Sequence, residues 1–238
     1  MLFSTLSTAM TALAMVSTAG AIPTWGRPVP RADPKVAELL KLMPSSALPK
    51  PVGQLKYVVL GLGTQNYTCL SGSDTAVPDT TGATAVLFDL GTALSKDRYA
   101  QFKIGSLSGL ALSFHSKPKL LESYFASVQY PKAGNHFFTD KTPTFSLQNI
   151  RVANNQPFPL AMVKKNLDTD APPTACRGTT GEGAVKWLHL IDAGTSKGGV
   201  DTVYRIETAG GNKPATCKGQ KKTFEVPYAA QYWVFGPA

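Results

Sequence analysis

The sequence predicts an all-β domain, a sandwich or a partly closed barrel with one or two short peripheral helices. Two observations predict it. From residue 55 onward, short runs rich in Val, Leu, Tyr, Phe and Trp recur between loops that carry Gly, Pro and Asp, the pattern of many short strands joined by turns. Helical patterns do not alternate with these runs, which argues against a parallel α/β sheet. No internal repeat is visible.

The elements follow in order. Residues 2–21 hold no charged side chain. Phe3, Leu6, Met10, Leu13, Met15 and Val16 form a short apolar core, and Ala19 and Ala21 have the small-residue spacing of a signal-peptidase site. The run is too short and too broken by Ser and Thr to span a bilayer. Residues 1–21 are therefore read as a signal peptide, residues 22–50 as a Pro-rich arm with a short helix, and residues 51–238 as a single β-rich domain. In the arm, Asp33 is a good N-cap and Pro34 suits the first helical position. Val36, Leu39, Leu40 and Met43 make one apolar face, and Pro44 ends it.

After the stiff entry Leu48-Pro49-Lys50-Pro51, residues 55–62 read as a buried strand, and residues 65–70 continue extended. Residues 71–82 are a polar loop, residues 84–90 alternate as a strand, and residues 107–114 read as another strand. Residues 118–130 fit both a helical face (Leu121, Tyr124, Phe125, Val128) and an aromatic strand. Residues 136–138 and 142–147 read as a hairpin about Asp140-Lys141. Residues 184–192 and 199–207 are strong strands joined at 193–197, and residues 223–226 and 231–235 close the chain.

The chain holds 24 Lys and Arg against 15 Asp and Glu, a formal charge of +9. Residues 213–222, with Lys213, Lys218, Lys221 and Lys222, are the densest acid-free run. Such a surface attracts anionic partners, and acidic wall polymers are the candidates. The basic residues form no aromatic-interleaved stripe and the leader directs export, so nucleic acid is not the expected partner. No membrane span is predicted. The expected location is extracellular, in solution or at a cell wall.

Two motifs resemble catalytic signatures and fail on context. Gly61-Leu62-Gly63-Thr64-Gln65-Asn66 follows a strand as a dinucleotide fingerprint would, but Asn66 replaces the third glycine and no helix pattern follows. Gly194-Thr195-Ser196-Lys197-Gly198 fits G-x-S-x-G, but it leads into a strand and no histidine follows the serine. His115, His136 and His189 lack the spacing of a local metal site; His136, at a loop-to-strand junction, is the one placed for function. The carboxylates Asp89, Asp140, Glu182 and Glu207 lie far apart in sequence. No cofactor and no metal are predicted. Asn66-Tyr67-Thr68 is an N-glycosylation acceptor. The three cysteines, Cys69, Cys176 and Cys217, allow one disulfide and one odd thiol, and spacing does not choose among the pairings.

Several segments together carry a family resemblance. They are residues 63–69, 134–138, 142–145, 183–188, 203–211, 214–217 and 226–233. In this order they resemble a secreted domain family of unknown function found in fungi and bacteria, from Leu48 onward. Fungal members often carry the label malate dehydrogenase, to which the residues lend no support. The resemblance implies a Cys69–Cys217 disulfide with Cys176 odd; Cys176–Cys217 is the alternative. The expected role is binding, or association with a cell wall or surface. The alternatives are a secreted hydrolase with a non-standard site, which needs His136 beside a carboxylate, and a purely structural wall protein. The candidate ligand-binding residues are Gln65, Tyr67, His136, Arg205, Thr208, Tyr228 and Tyr232. Arginine offers an anion-fitting fork and the tyrosines offer stacking faces with polar tips.

Overall fold

The computed structural model describes residues 34–152 and 156–237. The signal-peptide reading, the Asp33 cap and the first part of the arm lie outside the described residues. Eight antiparallel strands close into a barrel in sequence order: β1 Gln54–Thr68, β2 Asp79–Asp89, β3 Lys132–Thr139, β4 Thr142–Ser146, β5 Leu160–Thr169, β6 Trp187–Asp192, β7 Thr202–Gly210 and β8 Thr223–Gly236. The all-β expectation holds, and the closure is complete. β8 pairs with β1 along its whole length, from Gln54 opposite Gly236 to Thr68 opposite Thr223. Among the described residues no sheet edge is left to template another strand.

Side-chain alternation divides the strands between two cores. Val59, Leu87, Phe145, Val163, Val203 and Tyr232 fill the barrel interior. Val58, Leu60, Phe88, Ile206, Trp233 and Phe235 point outward into a second core roofed by helices. Strands buried on both faces read as continuous apolar runs, which is why residues 55–62 lack alternation.

The roof is mostly the connection from β2 to β3. It holds α1 Gly91–Leu94, α2 Ala100–Lys103, α3 Leu107–Ser113 and α4 Pro118–Ser127. Two sequence expectations are corrected or decided here. Residues 107–114, expected as a strand, form helix α3: Leu107 and Ala111 are buried one turn apart against β7 and β8. Leu107, Leu110, Ala111 and Phe114 have helical spacing, and a closed barrel offers no further strand position. The ambiguous segment 118–130 resolves as α4, with Leu121 and Phe125 buried and Tyr124 turned outward.

The arm helix is a 3-10 helix, Pro34–Leu42. Three residues per turn line up Val36, Leu39 and Leu42, so Val36 and Leu39 are buried while Leu40 is 40 % exposed. Strand β5 escaped the sequence reading because Lys164 and Lys165 interrupt its apolar face. The two closing runs are one strand. Pro227 lies inside β8 one residue beyond its last pair with β7, Gly210 opposite Tyr228, where a missing N–H is tolerated.

Candidate functional site

One end of the barrel is polar. There β1 stops, β8 starts, and the turns 69–78, 140–141, 170–186 and 211–222 gather. Four strands send candidate side chains to it: Gln65 and Tyr67 from β1, His136 from β3, Arg205 and Thr208 from β7, and Tyr228 and Tyr232 from β8. Six of these seven residues are buried, Arg205 being half-exposed. The structure brings the whole set to one end of the barrel.

The core of the cluster is a pair of phenols. Tyr228 and Tyr232, four residues apart on one face of β8, place their hydroxyls 2.8 Å from each other. Glycine makes room for both rings. A Cβ at Gly61 would lie 2.7 Å from the Tyr232 ring, and one at Gly211, where φ is +88°, would lie 2.6 Å from the Tyr228 Cβ. The His136 ring stacks flat on Phe145 at 4.1 Å and tilts toward Tyr232 at 5.6 Å. Its Nδ1 lies 2.9 Å from the Thr144 carbonyl. A carbonyl only accepts, so Nδ1 carries the proton and Nε2 is the acceptor. Phe145 was not among the expected residues, although a signal for it existed. A two-residue turn at Asp140-Lys141 pairs residues equally far from the turn, which sets His136 opposite Phe145.

Segment 184–186 closes this end. Val185 enters the inner core. The Thr208 hydroxyl donates to the Val185 carbonyl at 2.6 Å, and Tyr67 donates to the Gly211 carbonyl at 2.7 Å. The Arg205 guanidinium donates through Nε and Nη2 to the Lys186 carbonyl, at 3.1 and 2.9 Å. Among the described residues no carboxylate pairs with Arg205. The neighbouring carboxylates Asp168 and Asp170 are taken by Lys165 and Lys186. The buried Gln65 amide approaches the Tyr228 phenol and opposes the upward push of burial on it, without the geometry of a full hydrogen bond.

Burial sets the protonation states. It pushes His136 down to about 4; the Thr144 bond opposes this and the Arg205 charge adds to it. Burial raises Tyr67 to about 12, and Arg205 pulls the other way. Tyr228 and Tyr232 are raised by burial as well. At neutral pH the histidine and the phenols are uncharged. Arg205 is then the single formal charge among the seven residues.

Among the described residues the histidine meets no carboxylate. Its neighbours are Thr144, Phe138, Phe145, Tyr232 and Arg205. Asp89 is at the opposite end of the barrel, accepting from the Thr92 N–H and hydroxyl. Asp140 and Glu182 are exposed in turns. Glu207 sits in the β7 bulge at φ +47° and points away from the lumen toward Gly105; burial raises its carboxyl. His189 faces outward with Trp187, as alternation required. It is buried, stacked on Tyr204 at 4.7 Å and hydrogen-bonded to Asn166.

The rejected motifs are strand and turn. Gly61 and Gly63 lie inside β1, which runs on to Thr68 without a helix. Ser196 sits in the β6–β7 turn, donating to the Met162 carbonyl. The Cys69–Cys217 disulfide is formed and Cys176 is free and exposed. Asn66 is half-buried on the outward side of β1. With Tyr67, Thr81, Thr223, Phe224 and Glu225 it lines a groove of about 350 Å³ beside the polar end. Phe224, half-exposed and stacked on Tyr67 at 5.5 Å, is a further surface aromatic that the sequence reading passed over. Among the described residues no helix is long and apolar enough to cross a membrane, and no group of three His, Cys, Asp or Glu could hold a metal.

A family described as a protein of unknown function (DUF3455) matches residues 49–236. The chain belongs to this family. The match takes in all eight strands and the helical roof, and therefore every residue of the polar end. No curated protein and no solved structure matches the chain significantly.

Proposed function

We propose that this member of the family is a secreted binding domain, working at a polysaccharide-bearing surface, with its ligand site at the polar end of the barrel. One observation carries the reading: seven polar and aromatic residues scattered from Gln65 to Tyr232 converge on one barrel end. An eight-stranded barrel has an interior just wide enough for side chains or one small ligand. Here the side chains at one end are hydrogen-bonding groups and aromatic faces, the composition of ligand sites. The +9 charge supports an anionic environment for the whole domain. Among the described residues His136 has no carboxylate beside it, which turns the reading away from acid–base hydrolysis at that residue.

The test is a pull-down of the mature chain on insoluble wall polysaccharides at low and high salt. Binding should survive high salt, because screening weakens bulk attraction far more than a partly buried site. Tyr67→Ala, which removes a wall of both the cluster and the groove, should weaken it at least fivefold. Binding abolished by salt, or unchanged in folded Tyr67→Ala, would leave non-specific attraction alone.

A further inference from the structure

We propose that Asn66 carries an N-linked glycan whose innermost N-acetylglucosamine lies in the groove at the ends of β1, β2 and β8. This rests on the secretion half of the reading above and not on the ligand site.

Three observations carry it. The first is the acceptor Asn66-Tyr67-Thr68, whose middle residue is not proline. The second is the placement of the asparagine. Alternation turns Gln65 and Tyr67 inward, where both are buried, and leaves Asn66 half-buried on the outer side of β1. Its register partners are Gly82 on β2, which has no side chain, and the exposed Glu225 on β8. The Asn66 Oδ1 accepts from the Thr64 hydroxyl at 3.3 Å, while Nδ2, the atom that a glycan bonds, makes no hydrogen bond among the described residues. The third is the groove of about 350 Å³ that Asn66 itself lines, within the roughly 300–1,000 Å³ of small-ligand sites. The half-exposed Phe224 ring gives the apolar face of a sugar a surface to stack on. Thr81, Thr223 and Glu225, all exposed, offer hydroxyls and a carboxylate to its polar edge.

The pairing of β1 with β8 does not bar the modification, because the modification comes first. Cys217, which clamps the end of β1, follows Cys69 by 148 residues, and β8 comes later still. At roughly 5–20 residues per second of synthesis, Asn66 precedes them by about 7–30 s. The step is a substitution. Nδ2 loses a proton and bonds the anomeric carbon of an N-acetylglucosamine, and the lipid diphosphate that carried the oligosaccharide leaves with the electron pair of the broken C–O bond. Once the barrel closes, the glycan covers the β1–β8 seam and the Phe224 ring.

The full chain secreted from a yeast that adds high-mannose glycans tests this, by intact mass before and after peptide N-glycosidase F. The protein in the medium should be heavier than its chain and fall to the chain mass on digestion. Asn66→Gln and Thr68→Ala should arrive at the chain mass, and Thr68→Ser should keep the glycan. The seat in the groove is read with endoglycosidase H, which cuts beyond the innermost sugar. Native parent should be cut at least fivefold more slowly than native Phe224→Ala, and the two equally fast once denatured. Unmodified parent in the medium, or a glycan that persists in Asn66→Gln, would overturn the site and leave secretion standing. Equal cutting of the two native proteins would overturn the seat. Parent chain kept in the cell and unmodified would remove secretion and glycan together.

Discussion

His136 shows how much of this site is decided one residue at a time. Its ring is flanked by Phe145 and Tyr232 and satisfied at Nδ1 by a backbone carbonyl. Burial makes the charged form unfavourable, so its folded pKa falls to about 4 from an ordinary 6.5. The lowered value fixes the sign. Stability from this residue is fully present above pH 6.5 and is lost as pH falls through 4. The shift corresponds to roughly 3 kcal/mol. Denaturant titrations at pH 7 and pH 4 should therefore differ by about that amount more in the parent than in His136→Phe, which keeps the stacked ring and cannot charge. Glu207 works in the opposite sense. Its raised carboxyl favours the fold at low pH and ceases to as pH rises, so the difference between the two proteins isolates the histidine. A parent and variant with parallel pH curves would mean that His136 is solvated.

The elements around the polar end depend on one another. Cys69 directly follows β1, and its N–H donates to the Lys222 carbonyl just before β8. The disulfide to Cys217 thus clamps the mouth where the first and last strands end, across a sequence separation of 148 residues. Replacing both cysteines by Ala should lower the unfolding free energy by about 2–5 kcal/mol, read from urea midpoints. The strands themselves should survive, because Thr68 opposite Thr223 is paired by backbone hydrogen bonds. Loss of the whole far-ultraviolet β signal in the variant would contradict this. Helix α3 carries the complementary lesson. Its sequence is compatible with a strand by composition and with a helix by spacing, and the outer face of β7 and β8 selects the helix.

At the scale of the whole molecule, closure is the controlling fact. β1 and β8 come from the two ends of the domain and meet along 14 residue pairs, each strand also bonding its neighbour on the other side. Both strands are buried on two faces, inward by the lumen residues and outward by the helical roof. Central amides of β1 and β8 should therefore show the slowest hydrogen exchange, near the global unfolding limit, while the turn 170–183 exchanges fastest. Hydrogen exchange measured by mass spectrometry checks the ranking. β1 amides exchanging as fast as those of the turn would mean that the barrel opens at its seam.

The all-β class, the hairpin at Asp140-Lys141 and the strand and turn setting of the two catalytic look-alike motifs were legible from residue order, because alternation, turn chemistry and motif context are local. The disulfide partner was reached only through the resemblance to a family. Strand β5 was hidden because Lys164 and Lys165 break the apolar pattern that a strand is recognised by. The meeting of Gln65, His136, Arg205 and Tyr228 belongs to a different order of information. It depends on strand register, on the β7 bulge and on closure between β1 and β8. These are set by packing between residues distant in sequence, in the case of closure more than a hundred positions apart, which no local pattern encodes.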